Sequence, residues 1–246
     1  MSIFALGLST ISLAQNKNVK KGSQQWIQYY NQSKIGNKWT WSFDGGYRWN
    51  TLFSNPYQYI VRTGLGYQLS STMKVSAGFA HLGFYTSDKL SKVEYRPYEE
   101  LAITNSNKHF GMLQRFRIEE RYFKNVVGGD IQSGHTFNFR FRYACMLNFK
   151  ILKLSNGKPD EFLSMNLGDE IFINAGKKVV YNVFDQNRFL VGPSISFSKN
   201  FSIGLMYNSQ FAALNTAKSY NYTDILWLTI KQNLDLTKHK KHSSNG

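Results

Sequence analysis

The chain reads as an all-β fold, an antiparallel up-and-down transmembrane β-barrel. Three observations predict it. The first is strict alternation. Phe137, Phe139, Phe141, Tyr143, Leu147 and Phe149 fall on one side of an extended segment, and Asn138, Arg140, Arg142 and Asn148 on the other. An extended strand places successive side chains on opposite faces, so the segment has one apolar aromatic face and one charged face. The second is recurrence: the pattern returns in Trp39-Thr40-Trp41-Ser42-Phe43-Asp44 and in many later segments, as repeated two-faced strands of a closed membrane barrel require. The third is composition. Aromatic residues make up 16% of the chain and suit a lipid-facing wall with interfacial girdles. Mean hydropathy is only −0.40, because a barrel hides its apolar residues at every second position.

The elements follow in order. Segment 24–32 is the first strand candidate, and it either joins the wall or stays outside it. The tight turn Ile35-Gly36-Asn37 leads into 38–49, which carries the Trp39–Asp44 alternation. After the longer connection 50–56, segment 57–69 sets Tyr59, Val61, Leu65, Tyr67 and Leu69 on one face and Arg62, Gly64 and Gly66 on the other. Trp49, Tyr57 and Tyr67 lie near strand ends, as interfacial girdles do. The turn Ser70-Ser71-Thr72 precedes 73–85, and connection 86–92 precedes 93–103, which carries Glu94 and Arg96. Segment 110–123 puts Arg115, Arg117, Glu119 and Arg121 on one face. Gln114 and Glu120 share the other with Phe116 and Ile118. Connection 124–134 leads to 135–151. The link 152–161, rich in turn formers, leads to 162–174 with Glu170. Connection 175–186 leads to 187–197 with Arg188. The turn Ser198-Lys199-Asn200 leads to 201–213, whose Phe201, Ile203, Leu205, Tyr207 and Phe211 share a face. After 214–222 the last candidate is 223–236. Short turns alternate with longer connections, as periplasmic turns and outer loops do.

These are eleven candidates, whereas bacterial single-chain barrels have an even number of strands. Twelve strands are expected, the twelfth within 179–184, with ten as the fallback should the first stay outside. Four prolines in 246 residues fit long uninterrupted ladders. Segment 15–236 is read as a single barrel domain. Residues 1–14, apolar and ending Ser12-Leu13-Ala14, resemble a secretory signal without its basic leading region. Residues 237–246 are a basic tail.

Polarity decides which face is inside. A soluble barrel fills its interior with apolar side chains. Here Gly46, Gly64, Gly66, Gly78, Gly168, Gly192 and Gly204 all fall on the polar face. Glycine weakens a strand and needs a reason; a crowded lumen supplies one, if glycine makes room for Arg62, Arg140 or Arg188 to cross the bore. The net charge of +15 is therefore assigned to an arginine-lined lumen and solvated lysines, not to nucleic-acid binding. The expected lumen charge ladder comprises Arg62, Glu94, Arg96, Arg115, Arg117, Glu119, Arg121, Arg140, Arg142, Glu170 and Arg188. Such a ladder either braces and plugs the barrel or attracts anions.

Other chemistry finds little purchase. Cys145, the single cysteine, sits among aromatics as a lipid-facing or packed apolar thiol. His81, His109 and His135 define no nucleophile motif with any serine. Glu99 and Glu100 are adjacent and face opposite ways on a strand, a poor acid–base pair. No phosphate loop, CxxC pair or HExxH occurs. No catalytic residue, cofactor or metal is assigned.

Several segments occur together in a known order: Tyr59-Ile60-Val61-Arg62-Thr63-Gly64-Leu65-Gly66-Tyr67, Val93-Glu94-Tyr95-Arg96-Pro97-Tyr98, Arg117-Ile118-Glu119-Glu120-Arg121, Phe139-Arg140-Phe141-Arg142-Tyr143 and Phe184-Asp185-Gln186-Asn187-Arg188. In these the chain resembles the domain-of-unknown-function 2490 family of bacterial outer-membrane barrels, from about Trp26 onward. The resemblance implies an outer-membrane location and carries over no activity and no catalytic residue. One departure is the C-terminus, where Leu236 is followed by a polar basic stretch in place of a terminal aromatic. The expected function is a structural or passive-transport barrel. The expected partners are outer-membrane lipids and, during biogenesis, the barrel-assembly machinery, for a monomer that binds no nucleic acid. The alternatives are a membrane-embedded hydrolase acting on lipid or lipopolysaccharide, and a soluble lipid-carrying barrel.

Overall fold

A computed structural model describes residues 17–158 and 160–237. The expected signal segment, 1–14, and all of the expected tail beyond Thr237 lie outside the described residues. Among the described residues twelve strands form: β1 (Asn18–Lys34), β2 (Trp39–Asn50), β3 (Asn55–Gln68), β4 (Met73–Thr86), β5 (Lys89–Ser106), β6 (Phe110–Val127), β7 (Asp130–Ile131), β8 (Thr136–Lys153), β9 (Phe162–Ala175), β10 (Phe184–Ser198), β11 (Phe201–Ala213) and β12 (Ser219–Asp235). The strands other than the two-residue β7 are two-faced as alternation demands. In β8, Phe141 is 43% exposed on the outer wall while Arg140 and Arg142 are buried inside.

The strand total matches expectation, but its distribution differs. Eleven strands make the wall, and the twelfth, β7, is a two-residue ribbon folded back on Val126 and Val127 of β6. It lies at Asp130–Ile131 and not within 179–184. Sequence neighbours pair antiparallel around the wall, from β1 to β6 and on from β8 to β12. With an odd count, β1 and β12 run the same way, and they close the barrel as a parallel pair from Asn18↔Ser219 to Lys34↔Asp235. The first candidate strand is therefore in the wall, and it starts earlier than its sequence pattern suggests.

The connections fall at two mouths. The first mouth holds Asn18 and the β2–β3, β4–β5, β6–β8, β9–β10 and β11–β12 connections; the second holds the others and Asp235. The expected contrast of short and long connections is weaker than the sequence suggests, because the strands run further. Connection 86–92 shrinks to the two residues Ser87 and Asp88, both with positive φ (49° and 60°). That is the backbone a tight hairpin of right-twisted strands needs.

The inward glycines make room, but not for the arginines named above. A Cβ at Gly64 would lie 2.6 Å from the Tyr98 hydroxyl, one at Gly46 2.9 Å from Gln28, and one at Gly168 against the Met146 sulfur. Glycine thus clears space for Tyr98, Gln28 and Met146. Tyr98 in turn supports the Arg117 guanidinium, 4.3 Å from its ring centre. The outward imperfections are paired locally: Gln114 accepts from the Tyr143 hydroxyl at 3.1 Å, and Glu120 from Tyr122 at 3.5 Å. Tyr57 departs from its expected girdle position and lines the lumen beside Gln58, next to a register shift at Arg48/Trp49.

Candidate functional site: the charged lumen

All nine arginines of the sequence line the lumen. Strand register places several directly opposite a carboxylate: Asp44↔Arg62, Glu100↔Arg117, Glu119↔Arg140 and Glu170↔Arg188. Facing residues of opposite charge on one side of an antiparallel pair are within reach of one another. One pairing sets like charges opposite, Arg117↔Arg142; Arg117 hydrogen-bonds to Glu100, and Arg142 to Glu119 and Glu170.

Glu119 is the hub and is fully buried. Its Oε2 accepts from Arg140 Nε at 2.7 Å, its Oε1 from Arg142 Nη1 at 2.5 Å. Arg96 and Arg117 stand at 3.7 and 3.8 Å. Arg121, on the same strand face as Glu119, reaches away to Glu94, donating from Nε at 2.7 Å. Glu94 also receives Arg96 through Nε and Nη2, at 2.6 and 2.7 Å. Glu170 accepts from Arg115 at 2.7 Å and Arg142 at 2.6 Å, with Arg188 further off at 3.9 Å. The planar, permanently charged guanidinium fork suits such shared and bidentate contacts.

The eleven residues expected in the ladder thus all reach the lumen; ten of them join one ion-paired network, and Arg62 pairs apart from it. Three carboxylate partners were absent from that expectation. Asp44 holds Arg62 at 2.9 Å, Glu100 holds Arg117 at 2.6 Å, and Asp185 holds Arg140 at 3.0 Å. Asp44 and Glu100 each sit at an inward position of an alternating strand, and that was the available signal. Aromatic rings support the network from below. Phe172, fully buried, lies 4.4 Å under Arg142 and 4.7 Å under Arg188, where the ring face attracts a cation.

The network divides the lumen. A cavity of about 210 Å³ opens toward the first mouth, and one of about 450 Å³ toward the second. Tyr30, Arg62 and Arg115 line both and form the partition between them. The first cavity is strongly basic, lined by eight arginines and by two carboxylates, Glu170 and Asp185.

The three described histidines do not converge. His81 faces outward, its Nε2 2.9 Å from the Tyr59 hydroxyl. His109 precedes β6 at the second mouth, and His135 precedes β8 at the first. Glu99 points outward and Glu100 inward, so they share no site. Among the described residues no cluster of three or more His, Cys, Asp or Glu is arranged to hold a metal ion.

No curated protein matches the sequence. Among solved structures, one described as a NanC porin resembles it at 12% identity, over 77% of this chain and 86% of that one, with a TM-score of 0.45. The profile of a protein family of unknown function, DUF2490, matches residues 23–221. That span takes in β2 to β11, with most of β1 and the start of β12, and so nearly the whole charged lumen: the chain belongs to the DUF2490 family.

Proposed function

We propose that this protein is a bacterial outer-membrane barrel with a braced, nearly closed lumen, serving a structural role or slow passive transport. The observation that carries the reading is Glu119. It is fully buried and contacted from three strands by Arg96, Arg117, Arg140 and Arg142. Buried pairs of this kind are tolerated only with good geometry and full hydrogen bonding. A bore crossed by such a hub leaves little room for a continuous water column.

The outer face supports membrane residence. Phe116, Ile118, Phe139, Phe141, Val61, Leu65 and Leu205 are exposed on it, far more contiguous apolar surface than a water-soluble wall presents. A broad apolar groove between Trp39, Leu65, Tyr67, Val75, Leu101 and Phe116 has the shape and chemistry for lipid acyl chains. The partners on this reading are membrane lipids and the assembly machinery, and the protein acts as a monomer. The hydrolase alternative requires a histidine beside a serine, whereas His81 is held by Tyr59 on the outward face.

Two measurements test the reading. The protein should fractionate with outer membranes and show heat-modifiable gel migration. In planar bilayers the parent protein should conduct little. A freely conducting, anion-selective parent would remove the bracing role and leave the barrel intact.

A further inference from the structure

Bracing accounts for every carboxylate of the network but leaves two arginines over. Arg48 has no carboxylate within 4 Å among the described residues. Its Nη1 donates to Gln58 Oε1 at 2.5 Å, and its Nε is buried without a partner. Arg188 has only the distant Glu170 among carboxylates, at 3.9 Å; its remaining partners are neutral amides, Gln210 Oε1 accepting from Nε at 2.9 Å and the Gln186 amide oxygen from Nη2 at 2.9 Å. Both guanidinium groups lie over the Trp26 indole, at 3.8 and 5.1 Å from its ring centre. Trp227 packs edge-on against Trp26 at 5.2 Å, and its indole N–H is likewise buried without a partner.

All four side chains line the basic cavity at the first mouth. A buried donor left unpaired carries the full cost of its lost hydration. Here two such donors adjoin an uncompensated positive charge in a confined space. Water can satisfy a donor but brings no charge; an oxyanion does both. The cavity's roughly 210 Å³ is below the 300–1,000 Å³ typical of drug-sized sites, so the solute is small. We propose that this cavity binds a small oxyanion, a carboxylate or a phosphate, received by Arg48 and Arg188 with the Trp227 indole N–H as a further donor. The partition beyond it makes the cavity a blind vestibule, a site of binding more than a route of passage.

The test uses the full chain folded in detergent micelles at constant ionic strength, with tryptophan emission as the readout. Inorganic phosphate, gluconate and glucose are titrated separately. A saturable change is expected with phosphate or gluconate and not with glucose, and the anion that saturates identifies the class. Arg48→Gln and Arg188→Gln should each weaken binding about tenfold or more, as loss of a charge-assisted hydrogen bond does. Lys74→Gln, in the cavity at the other mouth, should leave binding unchanged. Folding of each variant is checked by heat-modifiable migration. Should Arg188→Gln not fold, Arg48→Gln decides alone, because its removal orphans no carboxylate. Absence of saturation with both anions, equal saturation with glucose, or unaltered binding in Arg48→Gln would overturn the proposal. Those outcomes leave the braced lumen standing, whereas a conducting parent overturns bracing and leaves this site standing.

Discussion

At the scale of single residues, the lumen separates arginines that brace from arginines that are spare. Glu119→Gln keeps shape and removes the charge that Arg140 and Arg142 contact directly. Breaking a buried pair by removing one partner typically costs about 3–5 kcal/mol, so thermal unfolding should shift markedly downward. Arg48→Gln removes a stacked cation with no carboxylate partner and should cost no more than about 2 kcal/mol. Equal losses in the two variants would mean that the ion pairs are not what holds the lumen. Gly64 offers a third probe. Its Cβ would meet the Tyr98 hydroxyl at 2.6 Å and the Ala77 carbonyl oxygen at 2.9 Å. The carbonyl belongs to the backbone and cannot swing aside, so Gly64→Ala should destabilise by roughly 1–3 kcal/mol through overpacking. Chemical-denaturant midpoints would measure it.

At the scale of elements, facing and pairing make separate predictions. Phe139, Phe141 and Tyr143 are exposed on the outer wall while Arg140 and Arg142 are buried. Spin labels at 139 and 141 should report lipid, and at 140 and 142 the lumen. Phe141→Arg should cost roughly 2–4 kcal/mol if the residue lies near the bilayer midplane. Water contact at 141 would reverse the wall. The β1–β12 seam is tested by cross-linking in a Cys145→Ala background. Ile27 and Leu228 are register partners across it, so Ile27→Cys with Leu228→Cys should join through a short thiol linker. Ile27→Cys with Leu234→Cys should not, because parallel register puts Leu234 beside Ser33. Cross-linking only in the second pair would require a different closure.

At the scale of the whole molecule, an odd wall has a geometric consequence. Each antiparallel step reverses chain direction, so eleven wall strands leave residues 18 and 235 at opposite mouths. With the barrel spanning a membrane, thiol labels introduced at Lys17 and Thr237 should be reached from opposite sides by an impermeant reagent. Labelling of both from one side would indicate an even wall. The alternation of β8, the inward run of charges on β6 and the outward aromatics were all legible in the chain, because the side-chain period of a strand is a local property. The mouths were less so, since Ser87-Asp88 turns without the glycine that usually marks such a hairpin.

What the sequence by itself determined is therefore what one strand can know of itself: that it is extended, which face is apolar, and which residues point inward. On that basis it identified a closed β wall, its apolar outer face and the inward facing of the eleven residues expected in the ladder. What only the tertiary structure decided is what depends on neighbours. Arg121 belongs to Glu94 and not to Glu119, although it shares a strand face with Glu119. Arg62 finds Asp44, Arg117 finds Glu100, and the glycines clear space for Tyr98 and Gln28 where arginines were expected. Closure by a parallel β1–β12 pair likewise joins segments some 200 residues apart in the chain. The physical reason is register. Alternation is fixed by the backbone of each strand, whereas partners are chosen by how far adjacent strands slide. A slip of two residues preserves every face and changes every pair.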